Sequence, residues 1–309
     1  MTQPLIVVAG ATGDLGGRII HALLERGAAV RAMIRSDSDA EAVRHLRDRG
    51  VSIAVVDFRD RQSLINACAD ATCVVSALSG LRDVIVDAQT ALLHAAVDAN
   101  VPRFIPSDFC IDFNGLEPGG NRNLDLRREF AARLDRARIA RTSILNGAFA
   151  DMLTGQAPII LFKKKRVLYW GDADQLMDFT TRDNTAAFTA AAALDPATPR
   201  WLRIAGEEVS ARGLARIVSG VIGEEFKLWK AGPLGLLRGV IAVARVVAPQ
   251  TGELYPVWQG MQYLRDMFSG KGKLHPLDNT RYRGIRWTTV ADVLGDEVST
   301  PATTAPAPA

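Results

Sequence analysis

Short apolar runs alternate with amphipathic stretches over the first half of the chain. The run Leu5–Ala9 predicts a strand, and the apolar residues at 15, 19, 20, 23 and 24 then fall on one face of a helix that starts at Asp14 and stops at Gly27. Further strands are predicted at 29–34, 51–56, 73–77, 103–105 and 142–146, and helices near 40–46, 63–67, 84–99 and 126–137. This alternation predicts an α/β fold with a doubly wound parallel sheet, in which ligands bind at the carboxyl ends of the strands.

Beyond Gly147, strand-like and helical segments no longer alternate regularly. Strands are predicted at 159–162, 167–170, 202–205 and 226–229, and helices at 185–194 and 211–222. We therefore predict a nucleotide-binding domain at 1–150 and a smaller mixed α/β C-terminal lobe at 151–298, which binds substrate and is free to interleave with the first sheet. Residues 299–309 contain mainly Pro, Ala and Thr, which predicts a disordered tail.

The composition is that of an ordinary globular protein. The 309 residues are 48% apolar and 23% charged, which excludes a disordered or fibrous chain. A net charge of +3 gives no reason to expect a nucleic-acid partner. The three cysteines and four histidines are scattered, so neither disulfides nor a metal site are predicted, and a cytoplasmic location without a signal peptide is expected.

The longest apolar stretch runs from Leu234 to Ala248. Arg238 and Arg245 interrupt it, and it is too short to cross a bilayer, so no transmembrane segment is predicted. A buried or pocket-lining helix is the expected structure, and a face that lies on a membrane surface is the alternative.

Three glycines follow the first strand at positions 10, 13 and 16. Gly10 lets the chain turn off the strand, Gly13 lets the backbone approach a pyrophosphate, and Gly16 lets the helix pack close to the sheet. The N–H groups of the turn and of the helix start favour an anion. These features predict a dinucleotide site, with a purely structural turn as the alternative. The site would also include the intervening residues Thr12, Asp14 and Leu15.

The end of the second strand distinguishes between nicotinamide cofactors. An Asp or Glu about 20 residues beyond the glycines usually binds a free ribose 2′-hydroxyl, whereas Arg35 and Ser36 occupy this position here. A guanidinium and a hydroxyl suit a 2′-phosphate, so we predict NADP(H) as the cofactor. The alternative is that Arg35 is a solvated loop residue.

Two further strand ends complete the predicted cofactor site. Asp57 and Phe58 end the third strand, where the carboxylate can accept from the adenine amine and the ring can pack beside the base. A plain strand end is the alternative for this pair. Leu78 and Ser79 follow the fourth strand and are expected on the ribose or nicotinamide side of the cofactor.

Several motifs resemble the NmrA-like and isoflavone-reductase-like group of atypical short-chain dehydrogenases, which have a Rossmann fold. They are residues 7–13 (VVAGATG), 30–35 (VRAMIR), 103–109 (RFIPSDF), 146–149 (NGAF) and 178–181 (DFTT). The resemblance implies that one group of residues lies near the nicotinamide at the end of the fifth strand and another on its other side. The first group is Ser107, Asp108 and Phe109, and the second is Asn146 and Phe149. Gln89 matches a polar position of the family, with a solvated helix residue as the alternative.

The chain departs from this family at the residues that act in proton transfer. Typical short-chain dehydrogenases use Tyr and Lys spaced YxxxK, and the isoflavone-reductase branch uses a Lys on the helix before the Asn-containing strand. This chain has neither, since that helix reads Leu-Arg-Arg-Glu-Phe at 126–130. Counting back from Thr142 places Arg127 at the lysine position, whereas counting forward from Glu117 places Leu126 there. Cys110 stands where the family usually has glycine.

Two classes of function are compatible with these residues. The first is an NADPH-dependent reductase of a small carbonyl or conjugated compound (isoflavone-, quinone- or enone-like), with Arg127, Ser107 and Asp108 as candidate catalytic residues. The second is a sensor that binds NADP(H) and reports redox state to a protein partner without turnover. The motif at 146–149 and the apolar second lobe favour an enzyme with a small-molecule substrate.

Overall fold

A six-stranded parallel sheet crosses the first half of the molecule in the computed structural model, which describes residues 3–299 and their side chains through residue 296. Its strands are β1 (Leu5–Ala9), β2 (Ala29–Ile34), β3 (Ser52–Val55), β4 (Cys73–Ser76), β5 (Arg103–Ile105) and β6 (Ala140–Arg141). They lie in the order β3-β2-β1-β4-β5-β6. The order reverses between β1 and β4, which opens a crevice at their carboxyl ends. The predicted doubly wound sheet is therefore confirmed.

Helices connect the strands of this sheet. They are α1 (Asp14–Glu25), α2 (Ala40–Asp48), α3 (Arg61–Cys68), α4 (Gln89–Asp98) and α5 (Arg122–Leu134), and a π-helical segment, Asp83–Ala88, precedes α4. Asp39 and Asp60 cap α2 and α3, because each carboxylate accepts from backbone N–H groups of the first turn. The fifth helix starts four residues earlier than predicted. Its polar first turn carries no apolar period and is capped by Asn121, which accepts from the N–H of Leu124 at 3.4 Å.

The second half of the chain contributes shorter elements. They are β7 (Ser143–Leu145), β8 (Ala148–Phe149), β9 (Ile160–Leu161), β10 (Arg166–Trp170), β11 (Met177–Thr180), α6 (Arg182–Leu194), β12 (Trp201–Arg203), β13 (Glu207–Val209), α7 (Ala211–Ile222), β14 (Lys227–Gly232), α8 (Leu234–Val247), α9 (Val257–Phe268) and α10 (Val290–Ser299). Two three-stranded sheets, β13-β11-β8 and β14-β10-β9, mix parallel and antiparallel pairs. This confirms the predicted mixed C-terminal lobe.

Two elements of the second half complete the first core. Only Thr142 separates β6 from β7, and β7 pairs in parallel with β12, so the main sheet continues into the later part of the chain. Helix α6 packs on α1, and its Phe188 is fully buried in one cluster with Ile19 and Ile20. The domain boundary at residue 150 stays a prediction, but the two halves share this core.

Helix α8 corrects one prediction from the sequence. Its bounds are close to the predicted stretch, but it is not buried, since only Leu237 and Ile241 are inside while Val246 is 82% exposed. Apolar residues occupy all sides of this helix, and one side alone meets the rest of the protein. Among residues 3–299, no helix combines the length and hydrophobicity that a bilayer crossing requires.

The C-terminal end brings a second correction. The disordered tail is predicted to start at residue 299, but Ser299 is the last residue of α10. The remainder of that predicted tail, 300–309, lies outside the described residues.

Replacing Phe188 tests whether α6 belongs to the first core. The Phe188 ring packs against Tyr282 and Trp287, with centroids 4.9 and 6.1 Å away. Phe188→Ala is expected to lower the free energy of unfolding by about 3–5 kcal/mol, measured by urea titration, and Phe188→Leu by about 1.5 kcal/mol or less. A loss below about 1 kcal/mol for the alanine variant would contradict this packing.

Candidate functional site

The turn after β1 brings three backbone segments together. Gly10 has a φ of +78°, and a Cβ there would lie 2.6 Å from the carbonyl oxygen of Ala77, just beyond β4. A Cβ on Gly16 would lie far inside van der Waals contact with the carbonyl oxygen of Gly10. Gly13 donates its N–H to the same oxygen at 3.1 Å. The glycines at 10 and 16 are thus required by close approach of backbone to backbone.

The start of α1 faces the crevice without a side-chain cap. Its N-cap residue is Gly13, which has no side chain to accept from the first-turn N–H groups, and Thr12 beside it is exposed. Such uncapped N–H groups bind anions well. The Asp14 carboxylate is already paired with Arg18 at 2.6 Å and Arg182 at 3.2 Å, whereas the Leu15 side chain packs against the first core.

Arg182 is a residue at this site that the sequence did not reveal. It opens α6, and its guanidinium lies over the Phe149 ring at 5.3 Å while pairing with Asp14. A second ion pair to Asp151 at 3.6 Å holds it in place. A cation therefore stands beside the start of α1. The only sequence signal was that it follows the motif at 178–181.

Arg35 and Ser36 lie at the carboxyl end of β2, as predicted, and both are exposed. The Arg35 side chain is 69% exposed and pairs with Asp37 at 3.1 Å. Arg31, the nearest arginine along the chain, donates instead to the carbonyls of Ala67 and Ala69. Arg35 is therefore free to reorient, although its predicted role toward a 2′-phosphate stays untested.

The end of β3 and the loop after β4 hold the next predicted residues. The Asp57 carboxylate accepts from the N–H of Arg59 at 2.9 Å, and the Phe58 ring packs partly against a core cluster. Leu78 is half-buried beyond β4 and Ser79 beside it is exposed. These four residues lie just beyond the carboxyl ends of β3 and β4, and their contacts with a cofactor stay predictions.

Ser107 fastens the end of β5 to the loop after β4. Its hydroxyl donates to the carbonyl of Leu78 at 2.6 Å, and its N–H donates to Oε1 of Gln89 at 2.8 Å. Gln89 is buried and donates through Nε2 to the carbonyl of Ile85 at 2.9 Å, so the solvated alternative for Gln89 is wrong. The only hydroxyl proton of Ser107 is already used in this arrangement.

Asp108 is buried beneath the crevice. The Ser143 hydroxyl donates to its Oδ2 at 2.6 Å and in turn accepts from Arg200 at 2.6 Å, while Oδ1 has no partner. Burial raises the pKa of Asp108 above its ordinary value, against the opposing effects of the Ser143 hydrogen bond and the Arg127 charge. The next residue, Phe109, is buried in the first core. Asp108 is therefore placed to fix the strand ends.

Asn146 and Phe149 follow the end of β7. Asn146 is buried and donates through Nδ2 to the Thr185 hydroxyl at 3.3 Å, while its Oδ1 has no partner. Phe149 is half-buried beneath Arg182. A buried carbonyl oxygen that lacks a donor among the described residues is unusual and requires a physical explanation.

Arg127, rather than Leu126, is the residue of α5 that comes close to the end of β5. Its Nη1 donates to the carbonyl of Asn123 at 3.2 Å, and its Nε is buried without a partner. Burial lowers the pKa of Arg127, but nearby Tyr263, Cys110 and Asp108 raise it more, so the guanidinium stays charged. Burial also raises the pKa of Cys110 to about 12, which keeps its thiol protonated.

Helix α9, which was not predicted from the sequence, packs against the start of α5. Gln259 donates to Oδ1 of Asn121 at 2.7 Å, and the Asn121 amide donates to Asp266 at 2.9 Å. These buried bonds hold α9 against the start of α5. Tyr263, which lies between them on α9, therefore reaches the neighbourhood of Arg127.

Several known proteins are similar to this chain in sequence. The model of the NmrA-like family matches residues 2–124. Pinoresinol reductase 1 of Arabidopsis thaliana is 31% identical over 207 residues, which are 62% of this chain and 65% of that protein. A bifunctional pinoresinol-lariciresinol reductase of Linum album is 32% identical over 208 residues, or 62% and 64% of the two chains. These alignments span slightly less than two thirds of the relatives' length.

Solved structures share the fold over a longer range. AtPrR2 with NADP⁺ and (+)pinoresinol superposes with a TM-score of 0.79 at 21% identity, over 96% of this chain and 99% of that one. An isoflavone reductase superposes with a TM-score of 0.80 at 17% identity, over 96% and 99%. The architecture, including the C-terminal lobe, is therefore common to these proteins.

Two neighbouring glycines of α1 provide a matched test of the turn. Gly16→Ala is expected to lower the free energy of unfolding by about 1–3 kcal/mol, because the added methyl overpacks against Gly10. Gly17→Ala adds the same methyl 3.9 Å from its nearest neighbour, so it should be neutral or stabilise by up to about 1 kcal/mol. Urea unfolding measures both variants. Equal stability of the two would refute the close approach at Gly16.

Proposed function

We propose that the protein, whose residues 2–124 match the model of the NmrA-like family, is an NADPH-dependent reductase that transfers hydride to a small carbonyl or conjugated compound. The observation that carries the proposal is the buried, unpartnered Nε of Arg127 beside the crevice between the strand ends. The Arg127 side chain as a whole is partly exposed, but a buried N–H of a charged group that lacks an acceptor is costly unless a ligand completes it. The names of the relatives support a phenolic substrate.

The described residues fit an NADP(H) molecule along the crevice. The uncapped start of α1 and the Arg182 cation would bind the pyrophosphate. Arg35 and Ser36 would hold the 2′-phosphate, with Asp57 and Phe58 beside the adenine. Leu78, Ser107, Asn146 and Phe149 would surround the nicotinamide. When bound, the cofactor supplies the hydride.

Arg127 is the residue that we assign to charge stabilisation. Hydride addition leaves negative charge on a substrate oxygen, and a preorganised guanidinium in a partly buried site stabilises that charge. Its raised pKa makes it a poor proton donor, so water supplies the proton. Ser107 and Asp108 become positioning residues in this scheme, because the proton of Ser107 is held by Leu78 and the Asp108 carboxyl is buried.

The non-catalytic sensor is the weaker of the two original alternatives. It requires a protein partner and leaves the unpartnered Nε of Arg127, which is not among the proposed cofactor contacts, without a purpose. The relatives that match the chain are named as reductases, which also favours turnover.

Variants of Arg127 test the enzyme directly. In stopped-flow oxidation of bound NADPH by a panel of quinones, enones, aldehydes and phenolic compounds that include pinoresinol, Arg127→Met is expected to slow hydride transfer by about 10²- to 10³-fold. The dissociation constant for NADPH should not change. Arg127→Lys should restore part of the rate, and that rate should fall as pH rises through the lysine pKa.

The matched control is Arg136→Met, which removes an exposed guanidinium just beyond α5 and should leave rate and binding unchanged. If the wild-type protein binds NADPH at micromolar concentration but reduces no compound of the panel, the reductase proposal fails and the sensor is favoured.

The preference for the 2′-phosphate depends on Arg35. Arg35→Ala is expected to raise the dissociation constant for NADPH about 10- to 100-fold, the usual worth of a hydrogen bond to a charged group, and to leave that for NADH nearly unchanged. Arg44→Ala removes another exposed arginine nearby, which pairs with Glu41, and serves as the control. Fluorescence titration gives both constants, and equal losses for the two cofactors would disprove the assignment.

A further inference from the structure

Tyr263 lies on the side of α9 that packs against α5. Gln259 is four residues before it and Asp266 three residues after it, so the three side chains project from one side of the helix. Both neighbours form hydrogen bonds to Asn121, the N-cap residue of α5. The Tyr263 ring also packs against the core cluster that contains Leu124 of α5. The ring therefore faces α5.

Arg127 approaches the same space from α5. It lies one turn after Asn123, and its Nη1 donates to the carbonyl of that residue at 3.2 Å. Asn123 in turn donates through Nδ2 to the carbonyl of Leu254 at 2.9 Å, in the loop before α9. Tyr255 follows in this loop, and its ring centroid is 6.4 Å from that of Tyr263. Arg127 and Tyr263 thus lie on facing helices beside the same loop.

The Tyr263 hydroxyl has its proton available for a ligand. The side chain is half-buried, and its hydroxyl makes no hydrogen bond to any residue in the described part of the chain. Unlike Nε of Arg127, its oxygen is not fully buried. The Ser107 hydroxyl and the Cys110 thiol each donate to a backbone carbonyl, and the Asp108 carboxyl is buried. Tyr263 is therefore the neutral donor of this group whose proton is not already bound.

Burial and the Arg127 charge act on the ionisation of Tyr263 in opposite directions. Burial raises the pKa of Tyr263 above its ordinary value, and Tyr255, Cys110 and Asp266 act in the same sense, so the phenol is protonated at neutral pH. The Arg127 guanidinium opposes this rise. The same cation would stabilise the phenolate that remains when the proton leaves. The phenol is thus charged with its proton before transfer and is stabilised afterwards.

We propose that Tyr263 donates a proton to the substrate oxygen, while Arg127 binds the same oxygen. This assignment rests on the proposed function. As hydride forms the new C–H bond at a carbonyl carbon, the π electron pair of the C=O bond moves to the oxygen. The oxygen takes the proton of Tyr263, whose O–H bond breaks. Water then returns a proton to the phenolate, so the proton still originates from solvent. The pair would serve in place of the YxxxK residues, which the sequence lacks.

The basicity of the product oxygen determines how much this proton contributes. An aldehyde becomes a strongly basic alkoxide, whereas a quinone becomes a weakly basic hydroquinone anion. In stopped-flow oxidation of bound NADPH, Tyr263→Phe is therefore expected to slow the aldehyde reaction about 10³-fold and the quinone reaction by no more than about tenfold. Arg127→Met should slow both. Tyr169→Phe removes the hydroxyl of another half-buried tyrosine and should leave both rates unchanged.

Binding of 4-nitrophenol to the complex with NADP⁺ tests the same contact without turnover. Its anion carries negative charge on a phenolic oxygen and absorbs differently from the neutral form. Wild-type protein should bind the anion, and Tyr263→Phe should raise the dissociation constant at least about tenfold, the usual worth of a hydrogen bond to a charged group. Tyr169→Phe should bind it like the wild type.

Thermal unfolding of Tyr263→Phe should match the wild type, since the ring is kept. Equal losses with aldehydes and quinones would overturn the assignment, as would 4-nitrophenolate binding that Tyr263→Phe does not weaken. A larger loss for Tyr255→Phe would overturn it as well. Wild-type turnover that Tyr263→Phe leaves unchanged would refute the role of Tyr263 alone. NADPH binding without turnover of any compound would refute the reductase and, with it, the proton transfer, so the two failures are distinguishable.

Discussion

Close contact of backbone with backbone at the first turn is the constraint on which the site depends. The carbonyl oxygens of Gly10 and Ala77 occupy the space that side chains at positions 16 and 10 would need, so β1, β4 and α1 meet with nothing between them. This brings the start of α1 to the point where the strand order reverses. Because α6 packs on α1, it also brings Arg182 to the same place. The positions of the α1 N-terminus and of the Arg182 cation therefore both depend on the absence of a Cβ atom at Gly10 and at Gly16.

The other end of the crevice is organised by buried polar groups. Ser107 donates hydrogen bonds to both Gln89 and Leu78, and this set of bonds ties the end of β5 to the loop after β4. Next to this satisfied set, single atoms of Arg127, Asn146 and Asp108 lack partners. Such buried atoms call for a physical explanation, and under the proposed function a ligand in the crevice supplies it for Arg127 and Asn146.

The spacing of apolar residues correctly predicted those helices and strands that are stabilised mainly by contacts close in sequence. Strand β2 and helix α7 have the predicted bounds, because their apolar periods match their burial. The start of α5 and the existence of α9 were missed, since both depend on hydrogen bonds between residues about 140 positions apart, such as Asn121 with Asp266. The site divides in the same way. The glycine turn follows from backbone chemistry, whereas Arg182 and Tyr263 reach the site only through the packing of α6 and α9.

The sharing of one core by both halves determines how the protein can be made and recombined. A nascent chain cannot complete its first core until α6 and β12, which ends at Arg203, have left the ribosome. Until then, the edge of the sheet at β7 has an unpaired row of backbone groups and the outer surface of α1 is uncovered. Any exchange of C-terminal lobes between related proteins would have to keep α6 and β12 with the first half. The residues that must be kept together in such an exchange are therefore not contiguous in the sequence.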